Sequence, residues 1–278
     1  MLKPTSMKKY SLLSGVFALG MVVSCATNPF TGSKSLNLVS NAELFPSSFQ
    51  QYGAFLKENK VITGTADAKK VENVGMKIKA AAEKYLNSIG QKDYLTGYAW
   101  EYKLVDNKEV NAWCMPGGKI VVYSGILPVT KDEAGLATVM GHEVSHALSN
   151  HGAQRMTAGQ LQEYGGAALT AATGSLTPEK QQIWQQAYGV TSNYGAILPF
   201  SRKQETEADQ IGLTLMAIAG YNPDQAITFW QRMSASSSGS APMEFMSTHP
   251  SDATRIANLK KLIPNAKAAA AKFGVVFK

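Results

Sequence analysis

The chain has 278 residues, 45% of them hydrophobic and 17% charged, with 24 Gly and 11 Pro. That length holds one sizeable domain or two small ones, and that composition excludes a disordered or fibrous chain. The net charge is +7, falling to +4 without the three lysines of the acid-free N-terminal segment; with no Lys/Arg cluster interleaved with aromatics, nucleic acid is excluded as a partner.

The N-terminus reads as an address. Residues 1–10 are basic and polar. Residues 11–23 (SLLSGVFALGMVV) are apolar but short of the about 20 residues that a membrane-spanning helix needs. The junction Val22-Val23-Ser24-Cys25 resembles a bacterial lipobox, which implies removal of residues 1–24 as a lipoprotein signal peptide and lipidation of Cys25. Acyl chains there would hold an otherwise soluble domain on a membrane. Ala26 rather than Asp follows the cysteine, and by similarity to Gram-negative lipoproteins this implies the periplasmic face of the outer membrane. Residues 25–40 include many turn formers and are expected to be a lipidated tether, with residues 41–278 forming a single domain. The second cysteine, Cys114, has no partner at metal-site spacing and is expected to be buried and structural.

Residues 41–60 and 66–89 carry helical spacing; Val71, Val74, Met76, Ile78 and Ala81 fit one broad apolar stripe, and Gly90 closes the second helix. A β region follows. Residues 100–105 alternate, residues 109–114 form a second short strand, Met115-Pro116-Gly117-Gly118 is a turn, and residues 119–123 (KIVVY) are a third strand. No internal repeat is present, which excludes a helical-repeat array.

Residues 130–150 are the next helix, with Asp132 and Glu133 in its first turn. It contains Gly141-His142-Glu143-Val144-Ser145-His146. With only 4 His in the chain, chance placement yields this pattern with a probability on the order of 0.3%. Four residues bring a helix back to within roughly 40° of its start, so His142 and His146 share a face and can hold one metal ion. Glu143 stands beside that face, placed to take a proton from an attacking water. This is the HExxH arrangement of zinc peptidases. His151 is five residues past His146, about 140° around a continuous helix, so it is a poor third ligand with an expected helix-end or surface role. In zinc peptidases an edge strand beside this helix pairs with the substrate backbone. Gly117, Gly118, Lys119, Ile120 and Val121 are the candidates here, against a tight hairpin without substrate contact.

A catalytic zinc takes three protein ligands and keeps one position for water. Residues 198–218 form a strong helix containing Glu205, Glu207 and Asp209. Glu205 and Asp209 share a face, while Glu207 points about 200° away from Glu205. Residues 234–242 (SASSSGSAP) form a flexible segment leading to His249, and residues 252–262 are a short helix carrying Arg255, whose expected role is a surface or structural salt bridge.

Taken together, NAWCMPGGKIVVYSGIL at 111–127, HEVSH, SRKQETEADQIGL at 201–213 and STHPSDATRI at 247–256 resemble the HtpX/CAAX-prenyl-protease superfamily of gluzincin metallopeptidases, particularly its Oma-type and BepA/LoiP-like periplasmic branch. The resemblance implies that Glu205, the Glu of the family's ExxxD pattern, is the third zinc ligand and that Asp209 holds a ligand histidine from behind; Glu207 is the competing ligand. It also implies that His249 can take the fourth zinc position and keep the enzyme latent. The alternatives for His249 are a transition-state donor and a structural Thr-His-Pro turn. The expected fold is α+β, mainly helical, with a small sheet beside the HExxH helix. The expected function is zinc-dependent endopeptidase action, one Zn2+ per chain, on misfolded or misassembled envelope proteins; the rival is a chaperone-like adaptor that binds unfolded chains without cutting them.

Overall fold

The computed structural model describes residues 24–236, Phe245, His249 and 253–277. The signal segment, apart from Ser24, and most of the Ser/Gly-rich stretch before His249 lie outside the described residues.

The fold is α+β and mainly helical. The chain opens with an antiparallel hairpin, β1 (Ser24–Thr27) and β2 (Lys34–Asn37). Within the stretch expected to be a lipidated tether these two strands pair with each other, and their turn docks on the domain: Phe30 stacks on Tyr85 at 4.8 Å, and Asn28 Nδ2 donates to Ser149 Oγ at 2.9 Å. Helix α1 (Asn41–Glu58) starts with a capping box, Ser40 and Glu43 each satisfying the other's backbone N–H. Strand β3 (Val61–Ile62) leads to α2 (Ala66–Ser88), capped by Thr65 and closed by Gly90 at φ 74°. Val71, Val74, Ile78 and Ala81 face the core as their spacing requires, whereas Met76, five positions from Val71 and so off the stripe, is 51% exposed.

A four-stranded mixed sheet has the order β3, β4 (Glu101–Val105), β6 (Lys119–Tyr123), β5 (Ala112–Met115); β4 and β6 run parallel, and the other pairs antiparallel. The β5–β6 turn needs its two glycines. Gly117 and Gly118 have φ of 86° and 85°, and a Cβ would come within 2.5 Å of Phe49 at the first and 2.7 Å of Trp100 at the second.

After a one-turn helix α3 (Leu127–Thr130), the central helix α4 (Glu133–Leu148) begins with Asp132 accepting the Gly135 N–H at 2.8 Å. Residues 135–148 are all buried, because α4 is enclosed by α2, β5, α7 (Leu198–Ile218) and α8 (Gln225–Ser236). At its C-terminal end the Leu148 and Ala147 carbonyls accept from the Tyr94 and Tyr98 hydroxyls at 2.6 and 3.1 Å. Helices α5 (His151–Ala172) and α6 (Pro178–Ser192) lie between α4 and α7 in sequence, and α9 (Ala253–Ala271) packs on α7. Phe229, Trp230, Leu136, Met140, Ile211 and Leu215 are fully buried in one core, each contributing about 1.5–3 kcal/mol relative to exposure.

One contact sets the site. Gly141 of α4 faces Gly212 of α7, and a Cβ on Gly212 would stand 2.9 Å from the His142 backbone nitrogen. The two helix backbones therefore touch about one turn from Asp209 and two turns from Glu205 of α7.

Candidate metal centre

Helix α4 presents His142, Glu143 and His146, with the two imidazole centroids 4.7 Å apart. Their Nε2 atoms are 3.1 Å apart and turn toward α7. There Glu205 places Oε2 3.2 Å from His142 Nε2 and Oε1 3.3 Å from His146 Nε2. His249 adds a fourth group, its Nδ1 lying 2.9 Å from Glu205 Oε2 and 3.1 Å from His142 Nε2. The four donor atoms all lie within 4.8 Å of one another. A tetrahedral zinc with bonds of about 2.0–2.1 Å has edges of about 3.4 Å, close to these spacings. The donor set of imidazole nitrogen and carboxylate oxygen suits zinc as well.

The proton positions agree with ligation. Asp209 Oδ1 lies 3.0 Å from His142 Nδ1, and a carboxylate can only accept, so Nδ1 carries the proton and Nε2 keeps its lone pair for the metal. Asp209 is buried and gripped by Arg255, whose Nε and Nη2 donate to Oδ2 and Oδ1 at 2.9 and 2.6 Å. The Arg255 guanidinium is itself stacked on the Trp230 ring, 3.4 Å from its centroid. Burial would raise the Asp209 pKa, but the charge of Arg255 and the bond from His142 outweigh it and hold the carboxyl below its ordinary value. Without a metal, burial opposes charging of His142, yet its bonds to Asp209 and Glu205 push it up to about 9, so a metal ion would bind there by displacing the Nε2 proton. Glu205 is held far below the usual carboxylate range: burial is overcome by the three surrounding histidines, so it offers an ionised ligand.

Glu143 stands apart from this network. It is buried, which raises its pKa, and its Oε1 makes no hydrogen bond, the nearest ring nitrogen being His249 Nε2 at 3.4 Å. It lines a cleft of about 370 Å³ together with the strand segment Asn111, Ala112, Trp113 and Cys114. Cys114, expected to be buried, is instead partly exposed in the lining of this cleft, because its strand is carried there; desolvation and the neighbouring Glu143 raise its thiol pKa well above the ordinary value.

The structure thus brings together His142, Glu143, His146, Glu205, Asp209 and His249. It does not bring the strand candidates. Lys119, Ile120 and Val121 lie on β6, which is paired on both edges, with Ile120 and Val121 fully buried and Lys119 bonded to Glu101 at 3.1 Å. Gly117 and Gly118 serve the turn and its aromatic neighbours. The edge beside α4 is β5. The hairpin was readable, but strand order is not a local property. The side chain of Cys25 lies outside the described residues, while its backbone pairs with Leu36.

Three residues take places the sequence reading did not give them. Arg255 is buried behind Asp209 rather than on the surface. His151 is fully buried, with Nδ1 2.8 Å from His146 Nδ1, because α4 ends at Leu148 and Asn150 takes a left-handed conformation at φ 54°. The 140° extrapolation assumed an unbroken helix; the signal against it was Asn150 just ahead of Gly152, since Asn tolerates that conformation. Glu207, the competing ligand, instead bonds His151 Nε2 at 2.9 Å.

An HExxH helix whose site is completed by a single carboxylate from a second helix has the arrangement of a gluzincin-type metallopeptidase. In agreement with this, the sequence profile of peptidase family M48 matches residues 72–263, and the chain belongs to that family. It is 34% identical over 204 residues to the mitochondrial metalloendopeptidase OMA1 of Saccharomyces cerevisiae, covering 71% of this chain and 56% of that protein. It is 28% identical over 274 residues to human metalloendopeptidase OMA1, covering 93% and 51%. With the beta-barrel assembly-enhancing protease of Escherichia coli K12 it shares 29% identity over 189 residues, covering 63% and 38%. The chain spans about half the length, or less, of these relatives.

Proposed function

We propose that this chain is a zinc-dependent endopeptidase that cleaves misfolded or misassembled cell-envelope proteins. The observation that carries the reading is the convergence of His142, His146 and Glu205 with a buried Glu143 beside them whose Oε1 makes no hydrogen bond. Zinc held by those three residues would supply a Lewis acid for the scissile carbonyl and lower the pKa of water. Glu143 accepts the proton of the attacking water and delivers it to the leaving amine. Its raised pKa suits both halves of that transfer. Among the described residues β5 pairs only with β6, so its other edge gives an extended peptide a strand to pair with in the cleft that Glu143 also lines. Asp209 and Arg255 keep the His142 ring oriented.

His249 is the latency element in this reading. With its Nδ1 beside Glu205 and His142 and its Nε2 near Glu143, it fills the space an attacking water needs. A casein digestion tests both points. Cleavage by the wild type is expected to stop with a chelator and return with added zinc, and His249→Ala is expected to cleave about tenfold faster or more, a latency of ~1.4 kcal/mol. Chelator-resistant cleavage, or casein binding without cleavage by either protein, counts against the endopeptidase; reduced cleavage by His249→Ala counts against latency.

No helix among the described residues is long and apolar enough to cross a membrane. Membrane attachment rests on lipidation of Cys25 at the periplasmic face of a Gram-negative outer membrane, motivated by the lipobox-like Val22-Val23-Ser24-Cys25. Mass spectrometry of the protein extracted from cells is expected to find a mature N-terminus at a triacylated Cys25. An unmodified cysteine sinks the assignment.

A further inference from the structure

The N-terminal hairpin reaches the metal centre through a chain of bonds that the reaction itself does not use. His146 Nδ1 lies 2.8 Å from His151 Nδ1; His151 Nε2 lies 2.9 Å from Glu207 Oε2; and Glu207 Oε1 accepts from both Thr31 Oγ1 and Ser33 Oγ, in the turn between β1 and β2. We propose that His151 and Glu207 are positioning residues for the ligand His146, and that the hydroxyls of Thr31 and Ser33 lock the outer end of this relay. The proposal rests on the reading that His146 binds zinc.

The donors and acceptors run in one direction. A ligand that coordinates through Nε2 carries its proton on Nδ1, so His146 must donate there. The lone pair that accepts is His151 Nδ1, which leaves the His151 proton on Nε2, facing a carboxylate that can only accept. The second oxygen of that carboxylate would be left short of donors inside the protein, and the Thr31 and Ser33 hydroxyls supply them. Every member thereby has its tautomer or rotamer set by the next. The inner part of the relay is shielded from solvent: His151 is fully buried, and the Glu207 side chain is 12% exposed.

The turn that ends the relay is fixed from several sides. Asn28 binds Ser149, the residue capping the end of α4, and also accepts the Phe30 N–H at 2.9 Å. Phe30 stacks on Tyr85 of α2, and the Leu38 N–H donates to Thr157 Oγ1 of α5 at 3.0 Å. The segment that follows Cys25 is therefore part of the metal site's scaffold. Displacing it frees Glu207, then His151, then the His146 ring.

Cobalt and zinc affinity, measured by competition with a chromophoric chelator on the otherwise unaltered chain, tests the relay without reference to proteolysis. Glu207→Gln, and the double variant Thr31→Val with Ser33→Ala, are expected to weaken metal binding by about 10–100-fold and to alter the visible spectrum of the cobalt form, while Thr31→Ser keeps both. Thermal unfolding of the metal-free proteins separates a folding defect from a positioning one: the proposal expects the loss of affinity in variants whose metal-free Tm matches the wild type. Wild-type affinity and spectrum in Glu207→Gln or in the double variant overturn the relay. A wild type that binds neither metal overturns the zinc reading instead.

Discussion

Replacing Glu143 by Gln is expected to lower the turnover of peptide hydrolysis by about 10²–10⁴-fold, the usual contribution of a positioned general base. The change removes one capacity and little else. Gln matches the shape of Glu, and the residue makes no bond to the ligand set through its orphaned Oε1. What is lost is the ability to accept a proton in the cleft and return it to the leaving amine. Bound zinc and the unfolding temperature should stay close to wild type, because His142, His146 and Glu205 are untouched. Steady-state cleavage of a fluorogenic peptide, run beside a metal analysis of both proteins, measures the effect. Full activity in Glu143→Gln with a normal metal content removes Glu143 from the mechanism.

Arg255→Ala is expected to cost about 3–5 kcal/mol of folding stability, the range for stripping one partner from a buried ion pair. Asp209 and Arg255 are 6% and 7% exposed, and two bonds join them. Alanine leaves the carboxylate without its counter-charge in a dry core and also takes the guanidinium off the Trp230 ring. Against a typical total of 5–15 kcal/mol, such a loss is a large share. Arg255→Lys should rescue little, since an ammonium cannot grip both oxygens and lie flat on the indole. Urea unfolding of the metal-free proteins supplies the number. Because the two residues act as one unit, Arg255→Ala combined with Asp209→Asn should cost less than the two changes summed. A loss below about 1 kcal/mol for Arg255→Ala would mean that the pair is not the buried clamp its burial and bonds indicate.

The contrast between Glu143 and Arg255 marks where sequence reasoning succeeds. His142, Glu143 and His146 are related by one helical turn, so their shared face follows from local geometry alone. Glu205 and Asp209 share a face for the same reason, and Glu207 points away from it, as it does in the structure. His151 lies off the angle that helical spacing predicts because a single left-handed residue, Asn150, breaks the periodicity. Arg255 escaped because nothing in a helix of residues 252–262 says whether its long side chain meets solvent or Asp209. The substrate-strand candidates failed differently. Alternation identified the strands, but β6 is taken up on both sides, and only pairing across the sheet shows that β5 is the edge beside α4.

By itself, then, the sequence determined the mainly helical α+β class, the helix carrying the candidate metal-binding histidines, and the glutamate proposed as the base, because each depends on spacing within one element. The tertiary structure decided what lies between elements. The Gly141–Gly212 contact brings α7 close enough for Glu205 to reach both histidines; Arg255 and Trp230 sit behind Asp209; and the N-terminal hairpin closes on Glu207. Those arrangements depend on which surfaces are driven together when the apolar faces of α2, α4, α7 and α8 bury one another, and periodicity along a single helix carries no information about its neighbours.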